Sequence, residues 1–136
     1  MNIRIESENN IKHYKLDKSH IVISITGSKH EFIELPINSN RLSALFLKFD
    51  DIDKPIEKYI LFNEFLAHLI LGFVKTYTGV EEIICSCEAG ISRSAAVAAA
   101  LSKIIFNEDS LYFKKYIPNR LVYRLLLETN EKWKLL

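Results

Sequence analysis

The chain has 136 residues, 49% of them hydrophobic, which is enough to bury the core of one domain without a disulfide or a metal. Its net charge of +1 at pH 7 gives no indication of a broad basic surface for nucleic acid or for an anionic membrane. The two cysteines, Cys85 and Cys87, lie too close in sequence to staple a fold and offer too few ligands for a structural zinc site. No segment has the pattern of a signal peptide or a membrane span, so we expect one cytoplasmic domain over residues 1–136.

The first third of the chain contains three strand patterns. Residues 3–6 alternate apolar and polar side chains, which predicts a short edge strand, and Ser7 is suited to cap a short helix over residues 8–14. Residues 20–26 form a β-branched run that ends at a glycine, which is typical of a strand. Residues 45–49 have the same character and predict a third strand.

The rest of the chain alternates between helix and strand patterns. A turn-rich loop over residues 50–55 precedes apolar residues at helical spacing, which predict a long helix over residues 56–77. Residues 83–86 predict a short buried strand, and an alanine-dense helix is expected over residues 92–106. A final amphipathic helix is predicted over residues 119–133.

This alternation predicts an α/β fold with a mostly parallel central sheet of four to five strands and helices on both faces. In such sheets, ligands bind beyond the carboxyl ends of the strands. The loop that begins at Asp50 and the loop that begins at Cys87 both follow predicted strands, so we expect both to open at that edge.

The segment from Cys87 to Ser94 has the composition of a phosphate-binding loop with a nucleophile at its base. Cys87 and Arg93 are separated by five residues, and Gly90 between them permits an unusual backbone angle and a close approach to a ligand. A loop that runs from a strand into a helix can point several N–H groups at a phosphate. The residues that we expect to bind phosphate are Glu88, Ala89, Gly90, Ile91, Ser92 and Arg93.

The side chains of this loop indicate nucleophilic chemistry. The planar fork of Arg93 suits bidentate hydrogen bonds to phosphoryl oxygens. Helix N-termini and nearby cations favour the thiolate form of a cysteine, so we expect Cys87 to attack phosphorus and form a phosphocysteine. Ser94 is placed to donate a hydrogen bond to that thiolate when it leaves.

A leaving oxygen needs a proton, and the loop after the third strand offers three carboxyl groups, Asp50, Asp51 and Asp53. One of them would act as general acid in the first step and as base toward water in the second. The residue pattern alone does not choose among the three.

Residues 87–96 resemble the signature of the cysteine-dependent protein tyrosine phosphatases, and most of all that of the dual-specificity branch. Residues 83–86 resemble the strand that leads into this signature, and residues 47–52 resemble the segment before the general-acid loop in small bacterial members. The resemblance extends from about residue 21 to the C-terminus. It implies the phosphotyrosine phosphatase fold and hydrolysis of phosphotyrosine, with phosphoserine and phosphothreonine as further substrates, without a metal or cofactor.

By position in the family pattern, the general acid is Asp51, with Asp50 as second choice and Asp53 as third. The chain departs from the pattern at Ser86, where the family usually has a histidine directly before the cysteine. That histidine helps to order the loop, so its absence implies slower turnover.

Two other functions remain open from the sequence. The first is a phosphate-binding module that has lost turnover and binds phosphoproteins or regulates a partner, which the serine at position 86 would favour. The second is a phosphatase of non-protein phosphate esters. The interior of the loop, Glu88 to Ser92, contains no basic residue, which argues against highly anionic substrates.

Overall fold

The computed structural model covers residues 1–136. Its elements in chain order are β1 (Asn2–Ser7), α1 (Glu8–Ile11), β2 (His20–Thr26), β3 (Arg41–Lys48), α2 (Glu64–Thr76), β4 (Glu82–Cys87), α3 (Arg93–Phe106), α4 (Ser110–Lys115) and α5 (Arg120–Trp133). The four strands form one sheet in the order β1-β4-β2-β3, and every neighbouring pair is parallel. The predicted α/β fold around a parallel sheet is therefore confirmed, with four strands.

The larger part of the core lies between one face of the sheet and the helices α2, α3 and α5. Alternate strand residues such as Ile23 and Ile83 point to this face, as the period of two in a strand requires. Helix α3 follows β4 directly and is buried from Arg93 to Ser102, because its alanines let it pack close to the sheet. This packing fixes the start of α3 at the carboxyl end of β4.

The opposite face of the sheet has a thinner cover. Val22 and Ile84 pack there against Ile11 of α1 and against Tyr14 and Ile33, which lie in loops. Helices therefore flank both faces, but one face has a single short helix and irregular chain. Helix α1 ends at Ile11 and not at residue 14, because the Tyr14 hydroxyl turns inward and lies 2.7 Å from Nε2 of the buried His20.

The prediction of a helix over residues 56–77 was wrong at its start. Helix α2 begins at Glu64, where Asn63 caps it by accepting a hydrogen bond from the N–H of Leu66 at 2.9 Å. The residues before it form a loop, in which the backbone of Ile60 exchanges two hydrogen bonds with Asp50. The apolar side chains of that loop continue the helical spacing, so the sequence pattern predicted a helix that begins before its true start.

Helix α4 has six residues and was not predicted. Six residues make fewer than two helical turns, which is too short for the spacing of apolar residues to mark a helix in the sequence. None of the helices is both long enough and apolar enough to cross a membrane.

Candidate active site

A cavity of about 420 Å³ opens at the carboxyl edge of the sheet. It is lined by Asp51, Cys87, Glu88, Ala89, Ile91, Ser92, Arg93 and Ile117. The fold thus brings the candidate nucleophile, the candidate phosphate-binding arginine and one candidate acid to a single concave site. The parallel sheet explains this meeting, because the loops that follow β3 and β4 leave the same edge.

Cys87 is the last residue of β4, and Ser94 is the second residue of α3. The Sγ atom of Cys87 lies 3.0 Å from Oγ of Ser94, which is within hydrogen-bonding distance for sulfur. Both side chains are buried, with Cys87 at the floor of the cavity. The short turn between strand and helix brings the hydroxyl beside the sulfur.

Arg93 is the first residue of α3, and it is buried although it carries a charge. Its Nη1 atom donates a hydrogen bond to the carbonyl of Phe49 at 2.9 Å, so the arginine is held against the end of β3. A guanidinium has five N–H donors, and this contact uses one of them. The side chain still lines the cavity, where its other donors can meet an anion.

Gly90 has a φ of +70°, which favours glycine. A Cβ atom at this position would lie 2.9 Å from the backbone nitrogen of Ser7 and 3.0 Å from the carbonyl carbon of Glu6. A second backbone contact lies beside it, where the N–H of Glu8 donates to the carbonyl of Glu88 at 3.1 Å. The junction of β1 and α1 therefore supports the loop between Cys87 and Arg93 from behind.

Asp51 is the only one of the three candidate acids that lines the cavity. Its Oδ1 atom accepts two hydrogen bonds, one from Oγ of Ser92 at 2.8 Å and one from Nδ2 of Asn119 at 2.9 Å. These two donors fix the orientation of the carboxyl group and leave its Oδ2 atom without a hydrogen bond inside the protein. The register that the family resemblance suggested is the one that brings a carboxyl group to the site.

Asp50 is buried and points to a different place. Its carboxylate accepts hydrogen bonds from the N–H and the hydroxyl of Ser28 and from the N–H of Ile60. Burial alone would raise the pKa of Asp50, but these hydrogen bonds and the nearby positive charge of Arg93 outweigh it and lower the pKa. A carboxyl group held in the charged form in this way is suited to tie loops together and not to donate a proton.

Asp53 lies outside the cavity that Cys87 lines. It lines a separate depression of about 400 Å³ together with Arg120, Leu121, Tyr123 and Arg124. Asp53 lies only two residues after Asp51, but the two side chains line different depressions. The structure thus separates the three neighbouring aspartates by environment.

Asn119 contacts the candidate site, although the sequence identified it only as the first residue of the last helix; the structure makes it the N-cap of α5, which begins at Arg120. Its Nδ2 atom donates to Asp51 and also to the carbonyl of Ile52 at 3.1 Å, and its Oδ1 atom caps α5 by accepting from the N–H of Val122 at 3.1 Å. Its own N–H donates to the carbonyl of Ser92 at 3.1 Å. One buried residue therefore connects the loop of Asp51, through its side chain, with the loop that ends at Arg93, through its backbone N–H, and with α5.

Ser86 and Cys85 flank the site without lining it. By the alternation of β4, Ser86 points to the face opposite Cys87, and it is buried there. Cys85 points to the same face as Cys87 and is free and wholly buried. Burial, together with the neighbouring Cys87, raises the pKa of the Cys85 thiol far above its usual value, which makes this cysteine unreactive.

No cluster of three or more histidine, cysteine, aspartate and glutamate side chains is arranged to hold a metal ion.

The side chains of Glu88 and Ala89 are exposed at the mouth of the cavity. The predicted phosphate-binding residues thus divide into those that line the cavity and Gly90, which packs behind it.

No protein-family model matches the sequence, and no curated protein matches it either. Solved structures do match. Human DUSP28 superposes with a TM-score of 0.63 at 12% identity, over 97% of this chain and 93% of that one. The chain has the dual-specificity phosphatase fold.

Two further structures show the same phosphatase fold. The human tyrosine phosphatase-like serine/threonine/tyrosine-interacting protein matches with a TM-score of 0.57 at 21% identity, over 86% of this chain and 79% of that one. PTPMT1 in complex with PI(5)P matches with a TM-score of 0.59 at 17% identity, over 96% and 91% of the two chains. These superpositions establish the phosphatase fold, and at such low identities the chemistry has to be argued from the residues of this chain.

Proposed function

We propose that the chain is a phosphomonoesterase that hydrolyses phosphotyrosine in proteins through a phosphocysteine intermediate. The observation that carries this proposal is the shared cavity, in which Cys87, Arg93 and Asp51 meet. A nucleophile, a bidentate anion ligand and a proton donor are the three groups that transfer of a phosphoryl group to a side chain requires. A phosphorylated protein is the partner that this activity implies.

The phosphoryl group binds first. Its oxygens accept hydrogen bonds from the backbone N–H groups of residues 88–93, at the N-terminus of the long helix α3, and from the free N–H groups of Arg93. The hydrogen bond from Arg93 to Phe49 orients the guanidinium before the substrate arrives. The positive field of the loop stabilises the charge that builds up on the phosphoryl oxygens in the transition state.

In the first transfer, Sγ of Cys87 forms a bond to phosphorus while the bond from phosphorus to the tyrosyl oxygen breaks. Asp51 gives its proton to that oxygen, so tyrosine leaves as the neutral phenol. Because Oδ1 of Asp51 already accepts two hydrogen bonds, the proton is carried by Oδ2. The products of this step are the free tyrosine residue and a phosphocysteine.

In the second transfer, water attacks the phosphocysteine. The carboxylate of Asp51 accepts a proton from the water, the new bond from oxygen to phosphorus forms, and the bond from phosphorus to sulfur breaks. The hydroxyl of Ser94, 3.0 Å from the sulfur, donates a hydrogen bond to the departing thiolate. Inorganic phosphate leaves, and Cys87 and Asp51 return to their starting states.

Hydrolysis of p-nitrophenyl phosphate tests this function directly. We expect activity in the wild type and a loss of several orders of magnitude in Cys87→Ser and in Arg93→Lys, because each change removes a group that touches the phosphoryl group. Cys85→Ala is the matched control, since it removes the other thiol of β4, which does not line the cavity. Activity that survives in Cys87→Ser would refute the proposed nucleophile.

The second candidate function is a phosphate-binding module without turnover, and the specific observation in its favour is Ser86. A buried serine stands where the family resemblance calls for a histidine that orders the loop. If wild type and Cys87→Ser are equally inactive while the wild type still binds inorganic phosphate, this second function is correct. Activity on p-nitrophenyl phosphate that needs Cys87 excludes it.

The role of Asp51 is tested with two leaving groups. Asp51→Asn should lower kcat/KM strongly for phenyl phosphate and weakly for p-nitrophenyl phosphate, because kcat/KM reports the first transfer and the nitrophenolate leaves without a proton. It should also flatten the basic limb of the pH–rate profile for the poorer leaving group. If Asp50→Asn and not Asp51→Asn has this effect, the general acid is assigned to the wrong aspartate.

A further inference from the structure

The sheet has two outer edges, and they differ in the side chains that they carry. At one edge, β1 carries the charged residues Arg4 and Glu6 and borders a groove that α4 also lines. At the other edge, β3 has eight residues, and its interior, residues 42–47, is Leu-Ser-Ala-Leu-Phe-Leu, without a charge, a proline or a glycine. Charges, prolines and short strands keep a sheet edge from pairing with another chain, and β3 lacks this protection.

The backbone of β3 has free hydrogen-bonding groups on its outer side. Just past the strand, the N–H of Phe49 donates to the carbonyl of Thr26 at 3.1 Å, so the backbone of Phe49 points toward β2. Backbone groups alternate between the two sides of a strand, and those of Ala44 and Phe46 therefore point away from β2. Apart from the ladder with β2, no main-chain hydrogen bond reaches residues 42–47. The outer groups are available to a further strand.

Apolar side chains surround this edge on the face of the sheet that α1 covers. Ala44 points to that face, and by alternation Phe46 does so as well. The rings of Phe46 and Phe32 pack edge to face with their centroids 5.9 Å apart, and both side chains are exposed, as is that of Leu42 at the start of the strand. A contiguous exposed apolar patch is typical of a surface that another molecule covers.

The two cations at the ends of β3 are held by contacts within the chain. Nη1 of Arg41 donates to the hydroxyl of Tyr14 at 2.9 Å and to the carbonyl of Pro36 at 2.8 Å. Nζ of Lys48 lies 4.6 Å from the centroid of the Phe32 ring. Both charges therefore stay at the ends of the strand and leave its middle apolar.

We infer that the edge of β3 is a docking site for a second copy of this chain, whose β3 pairs with it in antiparallel orientation about a two-fold axis at Leu45. In this register Ala44 of each copy lies opposite Phe46 of the other, so a small side chain faces a large one and the outward backbone groups meet in hydrogen-bonded pairs. Lys48 lies opposite Leu42, so no like charges face each other. This complementarity of the strand to itself identifies a second copy as the occupant.

Sedimentation equilibrium tests this docking, and its result does not depend on catalysis. The apparent mass of the wild type should rise from that of one chain toward that of two between about 1 µM and about 1 mM, where small interfaces dissociate. Phe46→Lys should raise the dissociation constant by roughly tenfold to a hundredfold, because both copies lose the contact of the 39% of this side chain that is exposed. Phe106→Lys is the matched control and should have no effect, since Phe106 is 49% exposed at the end of α3, which packs against β1 and β4.

Disulfide trapping tests the register. Residues opposed in a non-hydrogen-bonded antiparallel pair have Cα atoms about 4.5 Å apart, which a disulfide can span. Leu45→Cys should therefore form a covalent dimer under mild oxidation. Ser43→Cys should not, because residue 43 lies opposite Leu47 and its two copies are about 13 Å apart along the strands. Both native cysteines are buried, so they do not contribute to the trapping.

Three results would overturn the inference. The first is an apparent mass that stays at one chain over the whole concentration range, which would leave the edge of β3 to a strand of another protein. The second is a dimer that Phe46→Lys weakens no more than Phe106→Lys does. The third is trapping of Ser43→Cys without trapping of Leu45→Cys.

Discussion

Substitution of Asn119 separates two roles of one side chain. Its amide nitrogen donates to Asp51 at 2.9 Å and to the carbonyl of Ile52 at 3.1 Å, while its amide oxygen caps α5 through the N–H of Val122 at 3.1 Å. Asn119→Ser keeps an oxygen that can cap the helix but removes the donor to Asp51. Asn119→Ala removes both. The pair of variants therefore distinguishes positioning of the acid from helix stability.

The expected losses of stability follow from these contacts. A hydrogen bond to a charged carboxylate contributes about 1.5–3 kcal/mol, and an N-cap contributes about 1 kcal/mol. We therefore expect Asn119→Ser to lower the free energy of unfolding by about 2 kcal/mol and Asn119→Ala by about 3 kcal/mol. Thermal or urea unfolding should show this order, with Asn119→Ala less stable than Asn119→Ser by about the free energy that the N-cap contributes.

The expected losses of activity have a different order. Both variants leave Asp51 with Ser92 as its one remaining donor, so both should lose the same share of acid catalysis. General acid catalysis is worth roughly 10²–10⁴-fold, and loss of orientation should remove about tenfold of it for phenyl phosphate. The kcat/KM for p-nitrophenyl phosphate, which reports the first transfer, should change little. If activity falls equally on both substrates, or falls in proportion to stability, Asn119 does not act through Asp51.

Three further predictions concern the phosphate-binding loop and its surroundings. Gly90→Ala should lower the free energy of unfolding by about 1–2 kcal/mol because of the positive φ alone. The new Cβ also meets the backbone at Ser7, so it should displace the loop and lower the phosphate affinity measured by calorimetry. An unchanged affinity would contradict this packing. Asp50 has a pKa below its ordinary value of 3.8, so its stabilising effect is present above that value and is lost as the pH falls through the lowered pKa. Asp50→Asn should therefore destabilise the protein at pH 7 by about 2–3 kcal/mol, with the difference from wild type shrinking in urea unfolding below about pH 4; a gap that stays constant would refute the assignment. Hydrolysis should be insensitive to EDTA, since Arg93 and the loop supply the positive field, and inhibition by EDTA that added metal reverses would contradict the mechanism.

The strands and the strand–loop–helix unit around Cys87 could be predicted in place because their signals are local, although β3 begins at Arg41 and not at residue 45. The β-branched run at residues 20–26 became β2 with the expected bounds, and the spacing of Cys87, Gly90 and Arg93 lies within one strand–loop–helix unit. The start of α2 could not be predicted from periodicity, because the apolar residues before Asn63 serve the loop that Asp50 holds. What decided that boundary is a contact between residues ten positions apart.

The hydrogen-bond partners of the candidate catalytic groups could not be predicted, because these partners are distant in sequence. The hydrogen bond from Arg93 to Phe49 spans 44 positions, and that from Asn119 to Asp51 spans 68. A sequence pattern read over a short window of residues cannot contain two residues that lie this far apart in the chain. Family resemblance placed the acid at Asp51, and only the folded chain shows that Asp50 and Asp53 face other surroundings.

The central claim is that Cys87 becomes phosphorylated during turnover. The wild type should be mixed with p-nitrophenyl phosphate, quenched in acid within the first turnover, digested and analysed by mass spectrometry. The account predicts one phosphoryl group on the peptide that contains Cys87, absent from Cys87→Ser and accumulated in Asp51→Asn, in which the attack of water is slowed. Turnover without any phosphorylated Cys87, or with the phosphoryl group on another residue, would contradict the account.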